Sequence, residues 1–156
     1  MTQLAKILPR NNVLLDVDAS SKRHLFEQVA MLLESHCSIA RSVVLENLLA
    51  REALGSTGLG RGVAVPHGRI KGMKAAMAAF VRLREPVAFD SPDDQPVKLM
   101  IVVLIPDNVT QQHLEILSEI AEMFSNEAFR AMLATETDPN AVHAQIAEWK
   151  PGRQAA

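Results

Sequence analysis

The sequence predicts an α/β domain: a mixed β-sheet of about five strands sandwiched between helices on both faces. Three observations carry this. VKLMIVVLI, 97–105, is a continuous apolar run rich in β-branched residues and bounded by Pro96 and Pro106, the pattern of a strand buried on both sides. Ahead of it, the segments 22–36 and 41–54 place apolar residues at helical spacing, and three later segments do the same, near 110–124, 126–134 and 138–149. Early helices, a middle run of strands and late helices make the order of a sheet with a helical layer on each side.

Each element has its own warrant. VLLDV, 13–17, reads as a short strand, and Ser20 and Ser21 offer N-caps to the helix that follows. In that helix Leu25, Phe26, Val29, Leu32 and Leu33 share one face. In the next, Val44, Leu45, Leu48 and Leu49 point inward, and Gly55 ends it. A glycine-rich connection leads to a strand at 63–66. AAMAAFVRL, 75–83, reads as a strand, although its alanines equally suit a helix, and VAFD, 87–90, as a second, short one. SPDDQP, 91–96, is a loop by composition. In the helix after the central strand, Leu114, Leu117, Ile120, Ala121 and Phe124 define the apolar face. Residues 1–150 then form one domain and 151–156 a flexible tail.

Composition excludes several classes. Of 156 residues, 48% are hydrophobic and 22% charged, and the net charge is −2, ordinary for a globular domain that needs no staples. Lys and Arg are scattered rather than clustered, so nothing marks a nucleic-acid binder. Cys37 is the single cysteine and has no internal disulfide partner. The N-terminus is too polar for a signal peptide, and no apolar run approaches the ~20 residues that span a bilayer. These features lead to the expectation of a cytoplasmic protein without membrane insertion, metal or cofactor.

STGLGRGVAVPHGRI, 56–70, is the stretch that asks for a function. It is not a dinucleotide fingerprint, because Val63 stands where the third glycine belongs and a helix precedes it instead of a strand. It is not a phosphate loop, because Arg61 and Gly62 replace the Lys and Ser/Thr. Nor is Gly55-Ser56-Thr57-Gly58 a nucleophile elbow. The five histidines show no metal-ligand spacing; His24, His36 and His143 read as solvated or structural. What remains is His67 at the end of a short strand, between Pro66 and Gly68. Arg51 lies on the edge of the preceding helix's apolar stripe, and His113 in the first turn of a later helix, where amides and dipole favour an anion. Taken singly, Arg51 suits a surface ion pair and His113 a core hydrogen bond. Together they suit a phosphoryl group: an imidazole of ordinary pKa, ~6.5, is a nucleophile at neutral pH, and arginine offers a planar charged fork. The amides and small residues Ser56, Thr57, Gly58, Gly60, Gly62 and Gly68 are expected to bind the phosphate or leave room for a partner.

REALGSTGLGRGVAVPHGRI, 51–70, resembles the active-site segment of the phosphotransferase system IIA domains of the fructose/mannitol type. PVAFDSPDDQPVKLMIVVLIP and HLEILSEIAEMF resemble the same family, and LAKILPRNNVLLDVDASSKRHLFEQVA is most similar to its stand-alone nitrogen-branch members. The resemblance runs to about Trp149 and departs at Arg61, where a small polar residue such as Asn is expected. It implies that His67 accepts a phosphoryl group on Nε2 from an HPr-like phosphocarrier, with Arg51 and His113 stabilising it. It also implies regulatory partners such as potassium-transport proteins or sensor kinases. A sugar-specific component serving a membrane permease is the alternative, and a non-catalytic binding scaffold the alternative of another class.

Overall fold

The computed structural model describes residues 2–108 and 110–152. A short helix α1 (Gln3–Ile7) and a 3-10 turn (Arg10–Asn12) lead into β1 (Val13–Val17), α2 (Lys22–Cys37) and α3 (Arg41–Ala53). Four strands follow: β2 (Gly58–Gly60), β3 (Val63–Ala64), β4 (His67–Ile70) and β5 (Met77–Val87). The chain then runs through β6 (Val97–Pro106), α4 (Gln111–Ser125), α5 (Glu127–Thr135) and α6 (Pro139–Glu148). The expected mixed sheet between helical layers is present, with six strands, in the order β1-β5-β6-β3-β2 and with β4 also on β6.

β6 is the central strand, as its two-sided apolar run requires: it pairs antiparallel with β5 on one side and parallel with β3 and β4 on the other. Its side chains alternate between two cores. Leu99, Ile101, Val103 and Ile105 meet α1, α4, α5 and α6 through Leu4, Ile116, Ile120, Phe124, Leu133 and Ile146. Met100, Val102 and Leu104 meet α2 and α3 through Leu25, Phe26, Val29, Val44 and Leu48. Helices α3 and α4 therefore lie on opposite faces of the sheet.

Several expectations are corrected. The strand at 63–66 is broken: Val63 and Ala64 pair with Leu99 and Met100, and pairing resumes only at His67, opposite Val103. Pro66 has no N–H to give, but its carbonyl accepts from the Val103 amide at 2.9 Å, so the line continues along β6 as a second strand. VAFD is not a separate strand. Val87 closes β5 beyond a register shift that starts after Arg82, and 88–90 lie outside it. The glycine-rich connection is itself partly sheet, a β2–β3 hairpin. On α4 the apolar face is shifted at two positions: Leu114 is 54% exposed and Ala121 is exposed, while Ile120 and Phe124 are buried as the spacing predicts, with His113 on the same face and Ile116 and Met123 beside them. Helix α1 was not anticipated. Of the predicted tail, 153–156 lie outside the described residues.

An arginine inside the sheet needs its donors matched. Arg82 of β5, buried, gives Nη1 to the carbonyls of Leu133 (3.0 Å) and Glu136 (2.7 Å). It thus ties the sheet to the C-terminal end of α5, where the helix dipole favours a cation.

Candidate functional site

Strand β4 has one strand neighbour, β6, and so forms the rim of the sheet where the two helical layers meet. The rim brings the three expected residues into one cleft. His67 begins β4, Arg51 comes from the last turn of α3 on one face, and His113 from the first turn of α4 on the other. The cleft has a volume of about 540 Å³, and its lining includes Leu54, Leu114, Leu117 and Arg69.

Hydrogen bonds assign the state of each imidazole. His67 Nδ1 lies 2.8 Å from the Val65 carbonyl oxygen, which can only accept, so Nδ1 carries the proton. The neutral ring's lone pair is then on Nε2, and Arg51 Nε donates toward it at 3.3 Å. His113 has the opposite arrangement. At the third position of α4 it reaches back to the Thr110 backbone N–H, which donates to its Nδ1 at 3.2 Å. Glu or Gln usually closes this capping box. With Nδ1 accepting, the neutral ring of His113 holds its proton on Nε2. The cleft thus contains one neutral imidazole with its lone pair on Nε2 and one with its N–H on Nε2.

Arg51 is held as well as placed. Its Nη1 donates to the Gly55 carbonyl at 2.7 Å. Next to it, Glu52 accepts from the Thr57 amide at 3.1 Å and from the Thr57 hydroxyl, and forms a 2.8 Å ion pair with Lys22. The loop 55–57 is clasped to the end of α3 by these bonds.

The glycine-rich loop does not form the expected cradle. Of Ser56, Thr57, Gly58, Gly60, Gly62 and Gly68, only Gly68 lines the cleft. The amide of Thr57 is committed to Glu52, that of Gly58 to Ser56 Oγ at 3.0 Å, and that of Arg61 to Asp93 at 2.8 Å. The Ser56 hydroxyl donates to the Phe89 carbonyl. Gly60, Arg61 and Gly62 all take positive φ to turn the hairpin, with Arg61 at +57°. Asp93 closes that turn: the amides of Arg61 and then Gln95 hold its carboxyl below the usual range. Arg61 therefore stands at a hairpin tip, not over the cleft.

Gly68 also has a different purpose from leaving room for a partner. A Cβ there would come within 3.2 Å of Asn47 Cβ and 3.4 Å of the Asn47 backbone carbon. The space is taken by α3. Because the helix can approach β4 this closely, Arg51, four residues beyond Asn47 and on the same helical face, comes to rest on His67, the residue before Gly68. Gly58 is constrained similarly by the side chain of Ser91.

Sequence reasoning missed the cleft's apolar rim, Leu54 (86% exposed) and Leu114. The available signal was Leu54 falling off the Val44–Leu48 stripe. Arg69 was missed too, although it sits two residues from His67 on a strand, hence on the same side. Among the described residues no cluster of three or more His, Cys, Asp or Glu is placed to hold a metal, and no helix is long and apolar enough to cross a membrane.

Fold and cleft define a class: α/β domains that present a histidine at a sheet rim, its Nε2 lone pair facing an arginine. The chain belongs to the phosphoenolpyruvate-dependent sugar phosphotransferase system, EIIA 2 family, whose model matches residues 6–149. It is 36% identical over 154 residues to the nitrogen regulatory protein of Pseudomonas aeruginosa, covering 98% of this chain and all of that one. It also resembles the crystal structure of nitrogen regulatory protein IIA-Ntr from Neisseria meningitidis. There the TM-score is 0.88 at 47% identity, over 93% of this chain and 99% of that one. A fructose-specific EIIA component from Haloferax volcanii is 33% identical over 108 residues, 69% of this chain and 70% of its own length. The protein is a phosphotransferase-system phosphocarrier.

Proposed function

We propose that this protein is the phosphohistidine carrier of a nitrogen-branch phosphotransferase relay, taking its phosphoryl group from an HPr-like phosphocarrier onto Nε2 of His67. The observation that carries the reading is the Nδ1–H bond to the Val65 carbonyl, which leaves the Nε2 lone pair beside Arg51. In the transfer, that lone pair forms the new N–P bond as the donor's N–P bond breaks, and the donor imidazole keeps the electron pair. The Val65 carbonyl stabilises the positive charge that develops on the His67 ring. Arg51 gives up its 3.3 Å bond to Nε2 and turns its free N–H groups to the phosphoryl oxygens, still anchored at Gly55. His113 donates from Nε2. No water takes part, and the apolar rim of Leu54 and Leu114 gives the donor protein a surface that excludes it.

After transfer the face carries about −1.5 to −2 additional charge at pH 7. Regulatory targets, such as potassium-transport proteins or sensor kinases, then distinguish the two forms by charge, the unmodified form binding them more tightly. The similarity to a fructose-specific component favours one alternative, transfer onward to a sugar permease.

The test is incubation with phosphoenolpyruvate and the two upstream phosphotransferase proteins, read by intact mass. Wild type gains one acid-labile, alkali-stable phosphoryl group, and His67→Ala gains none. Label retained by His67→Ala overturns the assignment. Sugar phosphorylation on adding membranes promotes the permease alternative.

A further inference from the structure

A phosphoryl group on His67 creates a charge deficit that the three expected residues do not meet. The group carries nearly two negative charges at pH 7. Arg51 brings one positive charge, and one of its nitrogens is already committed to the Gly55 carbonyl. His113, with its Nδ1 accepting from Thr110, donates one N–H as a neutral ring. The other residues lining the cleft are uncharged except one, Arg69.

Arg69 is well placed to act. It lies on β4 two residues from His67, so both side chains leave the strand on the same side, and both line the cleft. The residue between them, Gly68, faces α3 on the other side of the strand. Arg69 is exposed, and among the described residues no carboxylate or carbonyl holds its guanidinium. In this respect it differs from Arg51, which is tied at two points before any phosphate arrives.

We propose that Arg69 is a second phosphate-binding arginine of this site, one that folds onto the phosphoryl group only after transfer. The proposal rests on the phosphohistidine reading above. Arg51 is the prepositioned cation and Arg69 the mobile one; its movement gives the phosphorylated face an arrangement of charge that the free face lacks. A partner reading the two forms thus meets a changed guanidinium as well as a new anion.

The experiment phosphorylates the full chain with phosphoramidate, which needs no docking protein. Wild type, Arg69→Gln, Arg69→Lys and His67→Ala are compared, and the phosphorus NMR signal absent from His67→Ala is followed against pH. A cation on the phosphoryl group favours its dianion, so the signal's second ionisation lies lower in wild type than in Arg69→Gln, by about one pH unit. Arg69→Lys recovers part of that shift, because it keeps the charge and loses the fork. The transfer equilibrium with the phosphocarrier moves several-fold toward the carrier in Arg69→Gln; as an equilibrium between free proteins, it does not depend on docking. Coincident titrations and equal equilibria for wild type and Arg69→Gln overturn the proposal while leaving the phosphohistidine reading intact. Absence of any His67-dependent signal in wild type overturns both.

Discussion

Replacing Glu52 by alanine should damage both the fold and the transfer, and the structure gives the size of each effect. The Glu52 side chain is 5% exposed and satisfies Lys22 Nζ, the Thr57 amide and the Thr57 hydroxyl. Breaking a buried ion pair from one side costs about 3–5 kcal/mol when the remaining charge is stranded. Lys22 is not wholly stranded: its side chain is 20% exposed, Asp90 lies 3.9 Å away and the Phe89 ring centroid 4.4 Å. The ion-pair loss is therefore below that range, and the two Thr57 donors add about 1 kcal/mol each. A total near ~3 kcal/mol lowers Tm by roughly 6–12 °C in a domain of this size. Loosening Thr57 also frees the Gly55 carbonyl that anchors Arg51, so phosphoryl acceptance slows by roughly tenfold, well within what a small misplacement costs. Glu52→Gln keeps an acceptor for the Thr57 amide and loses about 1–2 kcal/mol. Urea unfolding and the initial rate of mass gain provide the two measurements. Adding Thr57→Val to Glu52→Ala should cost less than the sum of the single changes, because the hydroxyl that Glu52→Ala leaves without its acceptor is then gone as well. If Glu52→Ala unfolds within about 1 kcal/mol of wild type at an unchanged transfer rate, the clasp does not hold Arg51 and the argument fails.

Three further outcomes follow from the geometry. Gly68→Ala crowds Asn47 Cβ on α3, costing about 1 kcal/mol in unfolding free energy and slowing transfer through Arg51; a faster or unchanged rate would refute the close-approach reading. Arg61→Asn relieves a side chain held at φ +57° and raises stability by about 1 kcal/mol in the same unfolding assay, without altering the transfer rate. Nitrogen-15 NMR of the neutral rings finds the proton on Nδ1 in His67 and on Nε2 in His113; the same tautomer in both would remove the distinction between nucleophile and donor.

Legibility in the sequence followed the range of the interactions. β6 was readable because its burial is written in nine consecutive residues, and Arg51, His67 and His113 because each sits at a recognisable end of an element. α1 was not, since five residues are too few for helical periodicity and its first amides depend on Glu119 of α4, more than a hundred positions away. Leu114 was assigned inward because apolar spacing marks a stripe without saying where the cleft cuts it. The glycines were misread for a related reason. The small size of Gly68 and Gly58 is demanded by Asn47 and Ser91, which are 21 and 33 positions away, and the Arg61 amide is taken by Asp93, 32 positions away, so local sequence does not show these partners.

If His67 is the acceptor proposed above, the capping of α4 gives the reason His113 does not share that role. For His113 to attack phosphorus through Nε2, its proton would have to move to Nδ1. That would set N–H against the Thr110 N–H and remove the bond that closes the helix's first turn. For His67 the attack needs no such exchange, because the Val65 carbonyl already holds the proton on the far side of the ring and remains a partner once the N–P bond has formed. On the proposed phosphohistidine reading, the two roles are set apart by a backbone acceptor beneath one ring and a backbone donor beneath the other. Thr110-x-x-His113 is what writes the second of these into the sequence: a capping box in which histidine replaces the usual carboxylate or amide serves the helix with one nitrogen and leaves the other as a donor.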